Sequence, residues 1–165
     1  MTRHKVVAGV LAGLLAPASA LGVSPADRVL VPGRTFDGLE LGATRDDVKA
    51  RWGSRFGECR NCSSRTWYFN QERFEPQGMG VEFRDGRAAS YFTLWQPRGW
   101  KTSRGLALGE HVARVTAVYG PLTRTECGTY SALTLPRGRT VTAFYVVDGR
   151  LWGFGLSRRG LPVCR

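Results

Sequence analysis

The sequence lacks most of the patterns by which enzymes, metalloproteins and membrane proteins are recognised. Histidine occurs only twice, at His4 and His111, and no cysteines, histidines and carboxylates share the spacing of metal ligands. No pattern pairs His111 with a nucleophile and a third, orienting group. A length of 165 residues excludes a large multidomain enzyme. We therefore expect a non-enzymatic protein with no catalytic residues, no metal and no cofactor.

Long apolar runs are also absent, except at the start of the chain. That run, Val6 to Ala16, is too short to span a bilayer. It follows the positive residues Arg3 and Lys5 and precedes Ala18-Ser19-Ala20, a small-residue pattern typical of a cleavage site. We predict a signal peptide over residues 1–20 and a secreted or extracytoplasmic mature chain with no membrane span. A buried N-terminal helix is the alternative.

The four cysteines are interpreted in the light of this predicted export. An even number of cysteines in a small exported domain is typical of disulfides. We favour Cys59–Cys62 and Cys127–Cys164, because each pair then lies within one half of the chain. The other two connectivities, a redox Cys-x-x-Cys motif and a four-cysteine zinc site remain alternatives.

Short segments recur in the same order along the two halves of the chain, which indicates an internal repeat. The similar segments are residues 38–42 and 105–109, residues 48–53 and 115–120, and residues 85–87 and 148–150. We therefore predict a signal peptide (1–20), an extended lead-in (21–35), a first repeat (36–96), a linker (97–104) and a second repeat (105–165).

Each predicted repeat begins with a short helix and continues into strands. Thr44 and Asp47 have the spacing of a capping box, and Gly53 is a typical helix stop. Asp85-Gly86 and Asp148-Gly149 are typical of two-residue hairpin turns. The expected fold is α+β, with two tandem helix-plus-antiparallel-sheet repeats that form one layer of helices on a curved sheet.

The register around each predicted turn divides the hairpin residues between two faces of the sheet. Counting outward from the turns places Val81 opposite Ser90 and Phe144 opposite Gly153, on a face that we assign to the core. The other face is rich in Tyr and Trp, which often anchor interfaces. We expect it to bind a partner through these residues: Tyr91, Trp95, Tyr145, Trp152 and Phe154, with Trp67 or Tyr68 at the edge. An inverted register, with these rings in the core, is the alternative.

The arrangement resembles the tandem fold of the β-lactamase inhibitory protein family and the single unit of small outer-membrane assembly lipoproteins of the BamE/SmpA type. The matching elements are Leu39-x-Leu41-Gly42, Val48, Gly53 and the turn at Asp85-Gly86, with their repeats. The resemblance implies a secreted protein whose aromatic sheet grips an enzyme. It also implies an inhibitory loop over residues 70–79, which here carries Glu72 and Phe74.

Charge suggests a second kind of partner. The chain has 24 Lys+Arg against 13 Asp+Glu, a net charge of +11, which favours anionic partners. The basic residues are scattered along the sequence, and only Arg158 and Arg159 are adjacent. We expect a secreted, non-enzymatic, inhibitor-like protein-binding module that does not bind nucleic acid. The alternative is an envelope-associated protein that binds anionic cell-wall polymers through its basic surface.

Overall fold

The computed structural model describes residues 27–59, 61–70 and 77–165. The predicted signal peptide, the first part of the lead-in, and the loop residues Glu72 and Phe74 lie outside the described residues. Within these ranges, no helix is long and apolar enough to cross a membrane.

The described chain forms twelve strands and two helices of eight residues each. In chain order they are β1 (Val29–Val31), β2 (Thr35–Phe36), β3 (Leu39–Glu40), α1 (Arg45–Trp52), β4 (Gly57–Glu58), β5 (Arg65–Asn70), β6 (Gly78–Arg84), β7 (Arg87–Leu94), β8 (Lys101–Thr102), α2 (Val112–Tyr119), β9 (Thr123–Glu126), β10 (Ser131–Arg137), β11 (Thr140–Val147) and β12 (Arg150–Arg158).

Eight of these strands form one antiparallel sheet, in the order β4-β5-β6-β7-β12-β11-β10-β9. The strands of the two halves meet at the centre, where β7 pairs with β12 and Phe92 lies opposite Gly155. A second, four-stranded sheet has the order β3-β2-β1-β8. The predicted fold class is wrong: the protein is mostly β, and its two short helices share the covered side of the large sheet with a second sheet. Sequence patterns missed that sheet because three of its strands have only two residues.

The main core lies between the large sheet and the elements that cover it. Phe36 of β2 stacks on Tyr91 of β7 with ring centroids 5.7 Å apart, and its ring lies 4.5 Å from that of Trp100. Each helix contributes one fully buried valine, Val48 or Val115. Each large apolar side chain buried here contributes about 1.5–3 kcal/mol to folding. Aromatic packing therefore holds the small sheet onto the large one.

A buried carboxylate joins the small sheet to α1. Asp37 is fully buried and accepts hydrogen bonds from the backbone N–H of Arg28 at 2.8 Å and from Trp52 Nε1 at 2.9 Å. Arg51 Nη2 donates to Asp37 Oδ1 at 3.2 Å and pairs with the exposed Asp27 at 3.0 Å. The Asp37 carboxylate thus has donors from three directions, which offsets the cost of its burial.

The two helices are capped at their N-termini by different side chains. Thr44 and Asp47 form the predicted capping box, and Gly53 ends α1. The hydrogen bonds of Thr44 to Asp47 lower the pKa of the Asp47 carboxyl. His111 is the N-cap of α2, and its Nδ1 accepts from the backbone N–H of Ala113 at 3.2 Å. The side chain of His111 therefore has a structural role, since it caps the N-terminus of α2.

Two β-bulges explain why the predicted face assignment is wrong for two aromatic residues. The register shifts between Glu82 and Phe83 in the first hairpin and between Tyr145 and Val146 in the second. Each shift leaves one residue of the following strand, Ala89 or Trp152, without a partner in the register. Because side chains alternate along a strand, one extra residue moves every later side chain to the other face.

Beyond the bulges, the observed pairs are Val81 with Tyr91 and Phe144 with Phe154. The prediction placed Val81 opposite Ser90 and Phe144 opposite Gly153. Tyr91 and Phe154 are fully buried in the main core. They cannot belong to an exposed binding face.

Two disulfides close the chain as predicted, Cys59–Cys62 and Cys127–Cys164, and no described cysteine is free. Disulfides persist in oxidising compartments. The protein is therefore extracytoplasmic, which confirms the predicted location.

We expect the Asp37→Ala substitution to destabilise the fold by about 3 kcal/mol, because it leaves Trp52 Nε1 and Arg51 without their buried acceptor. Asp27→Ala removes the exposed partner of the same arginine and should cost less than about 1 kcal/mol. Urea unfolding of both variants measures the difference. If the two variants lost the same free energy of unfolding, the buried hydrogen bonds of Asp37 would contribute no more to stability than the exposed ion pair of Asp27.

The two disulfides should differ in their contribution to stability. Their cysteines are separated by 37 positions in Cys127–Cys164 and by 3 in Cys59–Cys62. Loop-closure entropy predicts losses of about 4 kcal/mol and about 2 kcal/mol when each pair is replaced by serines. Chemical denaturation of the two double variants tests this order, and a larger loss at Cys59–Cys62 contradicts it.

An aromatic cleft as the candidate functional site

The face of the large sheet opposite the main core carries a cleft of about 730 Å³. Phe92 and Tyr145, both buried, belong to its floor, and Tyr68, Tyr130 and Trp152 pack around this second cluster. Hydroxyl groups from two loops and a strand complete the border at Ser63, Ser64, Thr66 and Thr129. The cleft thus combines aromatic surface with polar groups at its edge, as ligand sites commonly do.

Glycines on the large sheet make room for the two floor rings. A Cβ atom at Gly80 would lie 2.4 Å from the ring of Phe92, and one at Gly155 would lie 2.4 Å from the hydroxyl of Tyr145. Neither distance is sterically possible without displacement. The rings can therefore lie across the sheet only because the strands carry glycine beneath them.

The segment 161–165 of the chain lies along one side of the cleft. Tyr145 Oη donates to the carbonyl of Val163 at 3.0 Å, and Tyr130 Oη donates to the carbonyl of Arg165 at 2.6 Å. The Cys127–Cys164 disulfide ties the same segment to the residue that follows β9. The phenol groups of the cleft thus bind the backbone of an extended polypeptide.

The guanidinium of Arg165 enters this face of the sheet. It lies over the ring of Phe92 with a centroid distance of 5.6 Å, donates to Ser90 Oγ, and lies 3.7 Å from Glu82 Oε2. Its side chain is only 12 % exposed. A planar cation over an aromatic ring beside a carboxylate is a favourable arrangement for a guanidinium.

Trp95 is the one exposed large hydrophobic residue of the described chain, with 59 % of its surface accessible. It contacts Trp152 edge to face, with ring centroids 5.9 Å apart, and both residues line the cleft. Trp95 and Gln96 have φ values of +54° and +51°. A left-handed backbone is unfavourable for a side chain as bulky as Trp, and such strain is often found at functional sites.

Four of the predicted binding residues line the cleft: Tyr68, Trp95, Tyr145 and Trp152. Tyr145 is only 2 % exposed and is covered by the segment around Val163.

Trp67 is buried in the main core with Tyr91 and Phe154, and its ring stacks on that of Phe56 with centroids 3.9 Å apart. The exposure expected for these three core residues is wrong, because they face the covered side of the sheet.

Sequence reasoning missed three residues of this face, Phe92, Tyr130 and Arg165. Phe92 was missed because the bulge at Ala89 exchanges its face with that of Tyr91. Tyr130 and Arg165 are brought together by the Cys127–Cys164 disulfide. The disulfide pairing was the one signal in the sequence that could have placed the segment 161–165 beside the loop after β9.

Metal chemistry has no candidate in the parts of the chain that the structure describes, where no three His, Cys, Asp or Glu residues group together. Both disulfides border the cleft, through Cys62 and Cys164. Disulfide-bonded cysteines are neither nucleophiles nor metal ligands. The cleft offers a ligand apolar surface, hydroxyl groups and one ion pair.

The sequence matches no family model and no curated protein. Among solved structures, the fold is similar to a DUF4309 family protein from Bacillus subtilis (TM-score 0.56, 17 % identity), with 75 % of this chain and 84 % of that chain covered. It is also similar to an extracellular protein containing an SCP domain from Bacillus anthracis (TM-score 0.54, 14 % identity, 72 % of this chain). A cysteine-rich secretory protein from Staphylococcus aureus has a TM-score of 0.53 at 11 % identity, over 78 % of this chain.

The chain spans less than half the length of two of these proteins, 44 % and 47 %. At these identities the likeness concerns the fold alone. The predicted resemblance to the β-lactamase inhibitory protein and to BamE/SmpA-type lipoproteins is wrong, because the neighbours found among solved structures are an SCP-domain protein, a DUF4309 protein and a cysteine-rich secretory protein. The inhibitory loop inferred from that resemblance loses its basis with it.

Burial of Tyr145 should make the fold sensitive to alkaline pH. Burial raises the pKa of its phenol, so above about pH 10 the unfolded chain loses this proton while the folded chain keeps it. Stability contributed by the neutral phenol is complete below that pH and is lost as the pH rises further. Unfolding free energies at pH 9 to 11 should fall less steeply for Tyr145→Phe than for the wild type, by up to about 1.4 kcal/mol per pH unit. Parallel slopes would contradict this.

Proposed function

We propose that the chain is an extracytoplasmic, non-enzymatic protein-binding module that holds an extended segment of its partner in the aromatic cleft. The observation that supports this proposal is the exposure of Trp95. The residue is 59 % exposed, its ring contacts that of Trp152 edge to face, and both line a cleft of about 730 Å³. Tryptophan is the residue most enriched among those that dominate binding energy.

The chemistry of the cleft favours a polypeptide as its ligand. The phenols of Tyr130 and Tyr145 already donate to backbone carbonyls of the segment 161–165. Ser63, Ser64 and Thr129 at the border of the cleft supply further hydroxyl groups. A second extended segment, lying beside the first, would meet the same mixture of rings and hydroxyls.

The expected interface has an aromatic centre and a polar border. Trp95 and Trp152 would be covered by the partner, and the hydroxyl groups of the border would pair with its backbone. Burial of apolar area gives an attraction that salt does not screen, in contrast to attraction by net charge. Binding at this cleft should therefore persist at high ionic strength.

A displayed library of random peptides tests the proposal without a known partner. Peptides selected on the immobilised protein should lose about thirtyfold or more in affinity for the Trp95→Ser/Trp152→Ser variant, because both anchor rings are removed. Trp95→Phe/Trp152→Phe is the matched control, since it keeps most of the aromatic area. Affinities are measured by calorimetry at low and high salt.

The proposal fails if the selected peptides bind the serine variant as tightly as the wild type, or if raising the salt abolishes their binding. It also fails if no peptide binds above background. Circular dichroism of each variant tests whether its fold is retained, because Trp95 is exposed but Trp152 packs against the second cluster.

A further inference from the structure

Three turns from distant parts of the chain meet at one end of the large sheet, and all of them carry arginine. They are the turn between β1 and β2, the turn between β10 and β11, and the end of β12. The five arginines, here called the arginine end, are Arg34, Arg137, Arg139, Arg158 and Arg159.

Hydrogen bonds and close packing hold these turns against one another. Gly33 donates to Thr142 Oγ1 at 2.9 Å and accepts from Thr140 Oγ1 at 3.2 Å. A Cβ atom at Gly33 would lie 2.9 Å from Cδ of Arg137, so this turn packs directly on that side chain. The first of the three turns is thus joined to the second.

The end of β12 is joined to the same turn. The backbone N–H of Arg159 donates to the carbonyl of Arg139 at 2.8 Å, and Arg159 Nη1 lies 3.4 Å from the carbonyl of Gly138. Thr140 lies opposite Arg137 on one side and opposite Arg158 on the other. With neighbouring strands about 5 Å apart, the backbones of these two arginines are about 10 Å apart, close to the screening length of physiological salt.

No carboxylate neutralises this group within the described part of the chain. The ion pairs of the structure involve other arginines, such as Arg51, Arg114 and Arg124, and none of the five. Arg34, Arg137, Arg139 and Arg159 are exposed, and Arg158 is partly exposed. The positive charges therefore add, and they are open to a ligand from outside.

We propose that the arginine end binds a linear polymer of repeating phosphodiester groups outside the cytoplasm. This site is separate from the aromatic cleft and does not rest on the function proposed for it. The guanidinium group offers two parallel donors that match the oxygens of a phosphate. Five such groups over three turns exceed what one small ion can contact, whereas a chain with regularly spaced charges can engage several at once.

The test measures binding of a fluorescently labelled poly(glycerol phosphate) to the full chain by fluorescence anisotropy. The patch variant Arg34→Gln/Arg137→Gln/Arg139→Gln should bind it about tenfold more weakly or worse, since three exposed charge pairs are lost. The control variant Arg55→Gln/Arg84→Gln/Arg98→Gln removes the same formal charge from exposed arginines elsewhere. It should lose less than about threefold.

Two comparison polymers with the same number of charges decide the ligand chemistry. Poly-glutamate, whose charges are carboxylates, should bind more weakly than poly(glycerol phosphate), whereas a single-stranded oligonucleotide, which is also a phosphodiester chain, should bind with comparable affinity. Binding of poly(glycerol phosphate) should also weaken as the salt concentration rises, since the contact is between charges.

Equal losses in the patch and control variants would overturn the proposal, because net charge alone would then explain the binding. Equal or tighter binding of poly-glutamate, or a failure of the oligonucleotide to bind, would overturn the assignment to a phosphodiester chain. Thermal melting of each variant verifies folding; Arg34, Arg137 and Arg139 make no side-chain hydrogen bond within the described ranges, so the patch variant should melt close to the wild type.

Discussion

The pairing of β7 with β12, together with one bulge in each adjoining hairpin, determines which rings of this protein reach a ligand. The pairing joins the two halves into one continuous sheet. The bulges then send Tyr91 and Phe154 into the main core, and the bulge at Ala89 sends Phe92 to the opposite face, where Tyr145 also lies. A one-residue change of register decides between core and candidate site, because the side-chain period of a strand is two.

The two faces of the sheet are stabilised by different means. One is covered by aromatic packing and by the buried Asp37, which accepts hydrogen bonds from Arg28, Arg51 and Trp52. The other is covered only in part, by a short segment that the Cys127–Cys164 disulfide and two phenol hydrogen bonds hold in place. The part of that second face that no described residue covers is the aromatic cleft.

Local signals in the sequence predicted local structure well. The Asp-Gly turns, the capping box of α1 and both disulfides have direct chemical causes within a few residues or in cysteine pairing. The bulges at Ala89 and Trp152 carry no such signal, since nothing in the strand sequence marks an extra residue. The small sheet and the arginine end were also missed, because they depend on contacts between segments far apart in the chain, such as Gly33 with Thr142.

Tethering of the segment 161–165 has a consequence for competition at the cleft. Because Cys164 is bonded to Cys127, this segment is present at its binding position at a high effective concentration, in the millimolar range for short links. A ligand that binds at the position of Val163 would have to displace the tethered segment 161–165, and this competition would lower its apparent affinity. Ligands that bind against Trp95 and Trp152, beside the segment 161–165, avoid that competition and can contact the backbone of this segment.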